Sequence, residues 1–244
     1  MHEYEKMALL ETNEWKRKLL KRSSIIQRVS KKAQNKVNSY IPEKVHKALT
    51  EAIKQMIQTT IAGSNVLTKK NQQPLPFLLD KDIELKRKMD QYRKLAVVEG
   101  AGTGAGGILL GLADFPLLLS IKMKFLMEAA NIYGYDTDTL EERIFLLYIF
   151  QLAFSSEEKR REVVEIVENW EKQKEKAATL NWQELQQEYR DFIDLVKMLQ
   201  LVPGIGAAVG AVANYNLMDQ LGEATLNAYR IRYFKENETR KSIE

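Results

Sequence analysis

Three polar residues stand beside glycine-rich, otherwise apolar stretches of the sequence, and they are the first candidates for chemistry. Glu99 and Asp114 flank one stretch, and Asn214 lies at the end of the other. Paired carboxyl groups can serve as acid and base when their environments differ. One hypothesis is therefore a hydrolase or a lipid-binding carrier whose site lies between the two stretches. Asp114 also has a simpler interpretation, as the cap of a helix that begins at Phe115.

The sequence lacks most of the residues that metal, thiol and disulfide sites need. The 244 residues include no cysteine, and His2 and His46 are the two histidines, which excludes disulfides, cysteine-ligated zinc and a thiol nucleophile. The glycines at 102, 104 and 107 match G-x-G-x-x-G, but a dinucleotide site needs alternating strands and helices around that motif. We therefore expect no metal and no cofactor.

Glycine is concentrated in the two apolar stretches, which hold nine of the twelve glycines. A glycine inside a helix costs roughly 1 kcal/mol relative to alanine, and small residues four positions apart let helices approach closely. We expect two apolar helical segments that pack against each other at the centre of the domain through Gly102, Gly104, Gly106, Gly107, Gly111, Gly204, Gly206 and Gly210. A hairpin that lies on or enters a bilayer is one alternative, and a ligand-contacting loop is another.

Residues 15–38 form the most basic part of the chain, with nine Lys or Arg residues and no acid. Apolar residues recur there every three or four positions, which predicts an amphipathic helix with a cationic face. Anionic lipid attracts such a face, so we predict that the membrane is bound by Lys16, Arg17, Lys18, Lys21, Arg22, Arg28, Lys31, Lys32 and Lys36. A protein partner, the acidic stretch 136–197 of the same chain, and simple solvation are the alternatives. Nucleic acid is not expected, because no nucleic-acid-binding motif surrounds this stretch.

Helical periodicity dominates the whole sequence. Glycine and proline together make up 17 of the 244 residues, and so few helix breakers favour long helices over many short strands. We predict an all-α fold, a single multi-helix domain in which residues 1–40 form a basic amphipathic extension and residues 41–244 form the all-helical body. Charges are scattered through the first twenty residues, where a secretion signal would be apolar. We therefore expect a cytoplasmic protein.

At the glycine-rich stretches the sequence resembles the EcsC protein family. The resemblance rests on EGAGTGAGGILLGLADFPLLL at 99–119 and VPGIGAAVGAVANY at 202–215, and it extends over most of the chain from about residue 40. It implies a bacterial protein that is associated with the subunits of an ABC transporter involved in secretion and envelope physiology. It implies no known activity and no catalytic residues. The expectation is a non-enzymatic accessory factor, peripherally associated with the cytoplasmic face of the cell membrane.

Overall fold

The fold is built from helices, without strands, in the part of the chain that the computed structural model describes, which is residues 3–21, 43–62, 75–104, 115–155, 157–177 and 206–241. In chain order these helices are α1 (Glu3–Lys21), α2 (Glu43–Ala62), α3 (Leu78–Gly104), α4 (Phe115–Tyr133), α5 (Leu140–Phe154), α6 (Glu157–Glu168), α7 (Trp170–Ala177) and α8 (Gly206–Lys241). They form one helical domain, which confirms the all-α prediction.

Helix α5 lies at the centre of the core. Every residue from Ile144 to Phe154 is buried, and α2, α4, α6, α7 and α8 all contact this helix. A helix that is apolar all round is stable only when other elements cover it. Thr139 begins α5, because its side-chain oxygen accepts a hydrogen bond from the amide of Glu142 at 3.3 Å.

The two longest helices, α3 and α8, run antiparallel and pack along each other. Asp82 of α3 contacts Arg230 of α8, and Arg93, further along α3, contacts Asp219, earlier in α8. The inward face of α3 is the one that the apolar period predicts, since Leu85, Met89, Tyr92 and Ala96 are all buried. The α3–α8 pair thereby forms the long side of the bundle.

Gly222 marks a close approach between α8 and α3. A Cβ atom on Gly222 would lie 2.4 Å from Cε and 2.9 Å from Cγ of Met89. We expect Gly222→Ala to destabilise the protein, because overpacking costs about 1–3 kcal/mol against roughly 1 kcal/mol of improved helix propensity. Urea unfolding measures the difference. The double variant Gly222→Ala/Met89→Ala should cost less than the two single variants added together; strictly additive costs would contradict the close contact.

Helix α1 begins at Glu3, twelve residues before the predicted basic helix, and only its last part overlaps residues 15–38. Its buried face carries Ala8 and Thr12, and Trp15 and Leu19 pack against the core. Residues 22–38 lie outside the described part of the chain, so the rest of the predicted basic helix stays a prediction. The same holds for the division of the chain at residue 40.

Helix α4 ends at Tyr133, as the following glycine predicts. Gly134 has a φ of +91°, and the amide of Tyr135 donates to the carbonyl of Ala130 at 2.9 Å. Glycine commonly ends a helix in this left-handed conformation. Among the described helices, none contains a stretch long and apolar enough to cross a bilayer.

Candidate functional site

The predicted polar site is described only in its backbone. Glu99 lies in α3 and Asn214 in α8, in parts of these helices where the side chains are outside the description, and Asp114 is outside it altogether. If the register of Arg93 with Asp219 continues along both helices, residue 99 lies level with residues 213 and 214. The candidate site of Glu99, Asp114 and Asn214 between the two stretches therefore stays a prediction.

Four of the eight predicted packing glycines lie in described helices, towards one end of the α3–α8 pair. Gly102 and Gly104 belong to the last turn of α3, and Gly206 and Gly210 belong to the first turns of α8. The same register would place Gly102 level with Gly210. The remaining positions fall outside the described residues, namely Gly106, Gly107, Gly111 and Gly204.

Four of the nine predicted membrane-binding cations lie in the described part of α1, and the other five lie outside the described residues. Lys16 forms an ion pair with Glu168 of α6 at 2.5 Å, and Lys18 pairs with Glu14 of its own helix at 2.8 Å. Arg17, Lys18 and Lys21 are exposed. The other predicted cations lie outside the described residues: Arg22, Arg28, Lys31, Lys32 and Lys36.

A buried ion pair that the sequence did not predict joins α8 to α3. Asp82 is fully buried, and its carboxylate accepts hydrogen bonds from Nε of Arg230 at 2.7 Å, from the hydroxyl of Tyr4 at 2.8 Å and from the hydroxyl of Tyr133. Arg230 also donates to Glu11 at 2.9 Å. Buried charges persist only when partners compensate them, so these five residues, the Asp82 network, hold α1, α3, α4 and α8 together.

A second buried ion pair joins α8 to α5. Glu142 is 3% exposed, and its carboxylate accepts hydrogen bonds from Nη1 of Arg232 at 2.5 Å and from the hydroxyl of Tyr229 at 2.7 Å. Arg232 also donates to Glu171 of α7 at 3.3 Å, and its guanidinium lies 3.7 Å from the ring centroid of Tyr135. We refer to these five residues as the Glu142 network.

Stacked tyrosine rings connect the two networks. The ring of Tyr229 lies 4.9 Å from that of Tyr133 and 5.5 Å from that of Tyr135, measured between centroids. Burial raises the pKa of Tyr133 and of Tyr229 well above the ordinary value, and the neighbouring carboxylates raise both pKa values further. Both hydroxyls therefore remain protonated at neutral pH and act as hydrogen-bond donors. The arrangement supports a structural role, in which the two networks attach five helices (α1, α3, α4, α5 and α7) and the turn at Tyr135 to α8.

Lys122 of α4 is a buried charge of another kind. It is 4% exposed, and no charged group among the described residues contributes to the shift of its pKa. Burial lowers the pKa of Lys122 to about 8. An amine in this setting titrates far closer to neutral pH than an exposed lysine does.

A cleft with a volume of about 190 Å³ lies beside the Glu142 network, at the junction between the end of α6 and the beginning of α7. Arg232, Glu171, Lys172 and Trp170 contribute to its lining. The indole N–H of Trp170 has no hydrogen-bond acceptor there. Within the described ranges, no group of three or more His, Cys, Asp or Glu residues is placed to hold a metal ion.

Comparison with known proteins agrees with the resemblance. The profile of the EcsC protein family matches residues 6–234. Over 230 residues the chain is 49% identical to Protein EcsC of Bacillus subtilis (strain 168). The aligned region covers 94% of this chain and 96% of that protein. Over 155 residues the chain is 31% identical to the uncharacterized protein YdbA of the same bacterium. This aligned region covers 61% of this chain and 57% of that protein. No solved structure matches the chain. The chain therefore belongs to the EcsC protein family.

Proposed function

We propose that the protein is a non-enzymatic accessory factor of an ABC transporter, and that it works at the cytoplasmic face of the cell membrane. The transporter part rests on what membership of the EcsC family implies. The membrane part rests on one observation, the way in which α1 is attached to the body. The attached helix carries exposed cations at its end, and anionic lipid attracts such cations.

One face of α1 is held by polar contacts with distant helices. The hydroxyl of Tyr4 donates to Asp82 of α3, Glu11 accepts from Arg230 of α8, and Lys16 pairs with Glu168 of α6. These contacts spread over most of the length of α1, beginning in its first turn. The orientation of α1 on the body is therefore fixed.

The exposed cations of α1 lie at the end of this fixed helix. Arg17, Lys18 and Lys21 are exposed, and the sequence continues with five more basic residues from Arg22 to Lys36 and no acid. A Lys or Arg near an anionic membrane surface contributes about 1 kcal/mol to binding. Since α1 is attached to the body, lipid that binds these cations also holds the body at the membrane.

Removal of the exposed α1 cations should release the protein from anionic vesicles. We expect the triple variant Arg17→Gln/Lys18→Gln/Lys21→Gln to bind vesicles of phosphatidylcholine and phosphatidylglycerol on the order of a hundredfold more weakly, from three losses of about 1 kcal/mol each. Flotation at several salt concentrations measures this, and binding should weaken as salt rises. The matched control is Lys54→Gln/Lys172→Gln/Lys235→Gln, which removes the same charge from exposed positions on other helices.

Two results would contradict the proposal. Wild-type protein that does not float with anionic vesicles removes the membrane part, and equal loss in the control triple variant removes the assignment to α1. The transporter part is tested by affinity capture from detergent-solubilised membranes, in which subunits of an ABC transporter should be recovered and identified by mass spectrometry. Recovery of none would leave a membrane-binding protein without that role.

The alternative function, a carrier or hydrolase, rests on Glu99, Asp114 and Asn214. The side chains of these three residues lie outside the described part of the chain, so this alternative stays a prediction.

A further inference from the structure

Helix α1 has two long faces with different surroundings. On the face towards the body, Ala8 and Thr12 are buried, and Trp15 packs against the core. Residues three or four positions apart share one face of a helix, so a second face runs along the side away from the body. Its residues are all exposed, and we refer to them as the outer stripe of α1: Glu3, Met7, Leu10, Glu14, Arg17, Lys18 and Lys21.

The first half of the outer stripe carries two exposed apolar side chains. Leu10 is 71% exposed, and Met7 is 47% exposed. Because they stand three positions apart, their side chains are neighbours on the helix surface. The apolar residues of the inner face already pack against the body, so Met7 and Leu10 are not needed to attach α1. Apolar surface is unfavourable in water, and neighbouring exposed apolar side chains are candidates for contact with a partner.

The second half of the outer stripe is cationic. Arg17, Lys18 and Lys21 lie there. Lys18 pairs with Glu14 at 2.8 Å, and both side chains are more than half exposed. Ion pairs at the surface are weak, so Lys18 can exchange Glu14 for a phosphate group. The other acid of the stripe, Glu3, lies in the first turn, at the end of α1 away from the cations. Attraction to an anionic surface is therefore concentrated at the Lys21 end of the stripe.

The combination of an apolar pair and cations on one stripe fits an anionic bilayer. A helix that lies in the interface of such a bilayer places apolar side chains among the acyl chains and Lys or Arg at the phosphates. The apolar pair and the cations lie on the same side of α1, so both kinds of contact can form at once. Tyr4, Glu11 and Lys16, which attach α1 to the body, are not part of the stripe. Contact with lipid therefore leaves this attachment in place.

We propose that α1 lies flat on an anionic bilayer along its outer stripe, with Met7 and Leu10 in the interfacial layer and the three cations at the lipid phosphates. The inference rests on the proposed function and deepens it, because it adds an apolar contact and gives the orientation of the helix. The cations supply the part of binding that salt weakens. The apolar pair supplies the part that salt does not weaken, and the body lies on the side of α1 away from the lipid.

A single labelled cysteine tests the insertion, because the natural chain has no cysteine that would react. Leu10→Cys in the full-length protein is labelled with an environment-sensitive fluorophore. The matched control is Val98→Cys, which is 68% exposed and lies in α3 about four turns beyond Asp82, the residue that Tyr4 contacts. Vesicles of phosphatidylcholine and phosphatidylglycerol should shift the emission of the label at 10 to the blue, and nitroxide-labelled lipid should quench it. The label at 98 should change in neither way.

Binding at several salt concentrations supplies the second measurement. Met7→Gln/Leu10→Gln should lower partitioning to these vesicles about tenfold, by a similar factor at low and at high salt. Leu95→Gln/Val98→Gln, a comparable change at exposed positions of α3, should leave partitioning unchanged. The triple variant of the α1 cations should instead flatten the dependence on salt.

The outcomes separate the insertion from the proposed function. If wild-type protein floats but the label at 10 is unchanged, the insertion is overturned while the proposed function stands. If the label at 10 responds to solubilised transporter subunits and not to vesicles, the outer stripe binds protein instead, which also overturns the insertion. Absence of any flotation overturns both.

Discussion

Asp82→Asn is expected to lower the free energy of unfolding by about 3–5 kcal/mol, the usual cost of removing one member of a buried ion pair. The substitution keeps the shape of the side chain but removes the charge opposite Arg230, whose side chain is 2% exposed. Arg230 would then retain Glu11, a residue at the surface, as its acidic partner. Urea unfolding followed by circular dichroism measures the loss.

Two further variants separate loss of the pair from a general effect of substitution in α3. Glu84→Gln removes one member of the Glu84–Arg87 pair, which lies on the surface of the same helix, and such pairs contribute about 0–1 kcal/mol. Asp82→Asn/Arg230→Met removes both buried charges and should recover much of the stability. A cost for Asp82→Asn no larger than that of Glu84→Gln would contradict the role given to the Asp82 network.

Lys122→Met, in contrast, should raise the free energy of unfolding. Burial lowers the pKa of Lys122 from 10.5 to about 8, and a tenfold change in an acid dissociation constant corresponds to about 1.4 kcal/mol. At pH 7 the folded protein therefore carries a protonated, desolvated amine at a cost of about 3 kcal/mol. Methionine has similar length and no charge, so the variant should be more stable than the wild type by an amount of this order.

The pH dependence of that difference identifies its cause. Below pH 8 Lys122 is protonated in both the folded and the unfolded chain, and the full cost is present. Between pH 8 and 10.5 the unfolded chain binds more protons than the folded one, so the free energy of unfolding of the wild type rises with pH relative to Lys122→Met. The tyrosines are common to both proteins and cancel. A gap that stays constant from pH 7 to 10, or a destabilised variant, would show that the ammonium is compensated in the fold.

The helices that pack through apolar side chains could be predicted from the sequence. In α3 the period of Leu85, Met89, Tyr92 and Ala96 marks the inward face, and the structure buries all four. In α5 the residues from Ile144 to Phe154 are apolar except for Gln151, and the structure surrounds this helix with other helices. Apolar burial is a property of one segment and its period, so it can be derived without knowing which segment lies opposite.

The polar contacts could not be predicted in the same way. Asp82 and Arg230 are 148 residues apart, and a period analysis counts each of them as exposed until its partner is known. The first turns of α1 were missed for the same reason, because Tyr4 and Glu11 attach to the body through hydrogen bonds and charge. One signal was available: Arg230 and Arg232 stand in the run LNAYRIRYF, where two arginines among apolar residues of one helix require acids from elsewhere.

The contact between α1 and the end of α8 bears on how the chain folds during its synthesis. Tyr4 and Arg230 are 226 residues apart, so α1 is translated long before the segment that receives it. Until the ribosome has released Arg230, the carboxylate of Asp82 cannot form its ion pair. Burial of the unpaired carboxylate would be unfavourable. Contacts this distant in sequence slow folding, because the intervening chain must close first. The nascent protein should therefore remain open to proteases and chaperones until its final helix emerges, and compaction should follow translation.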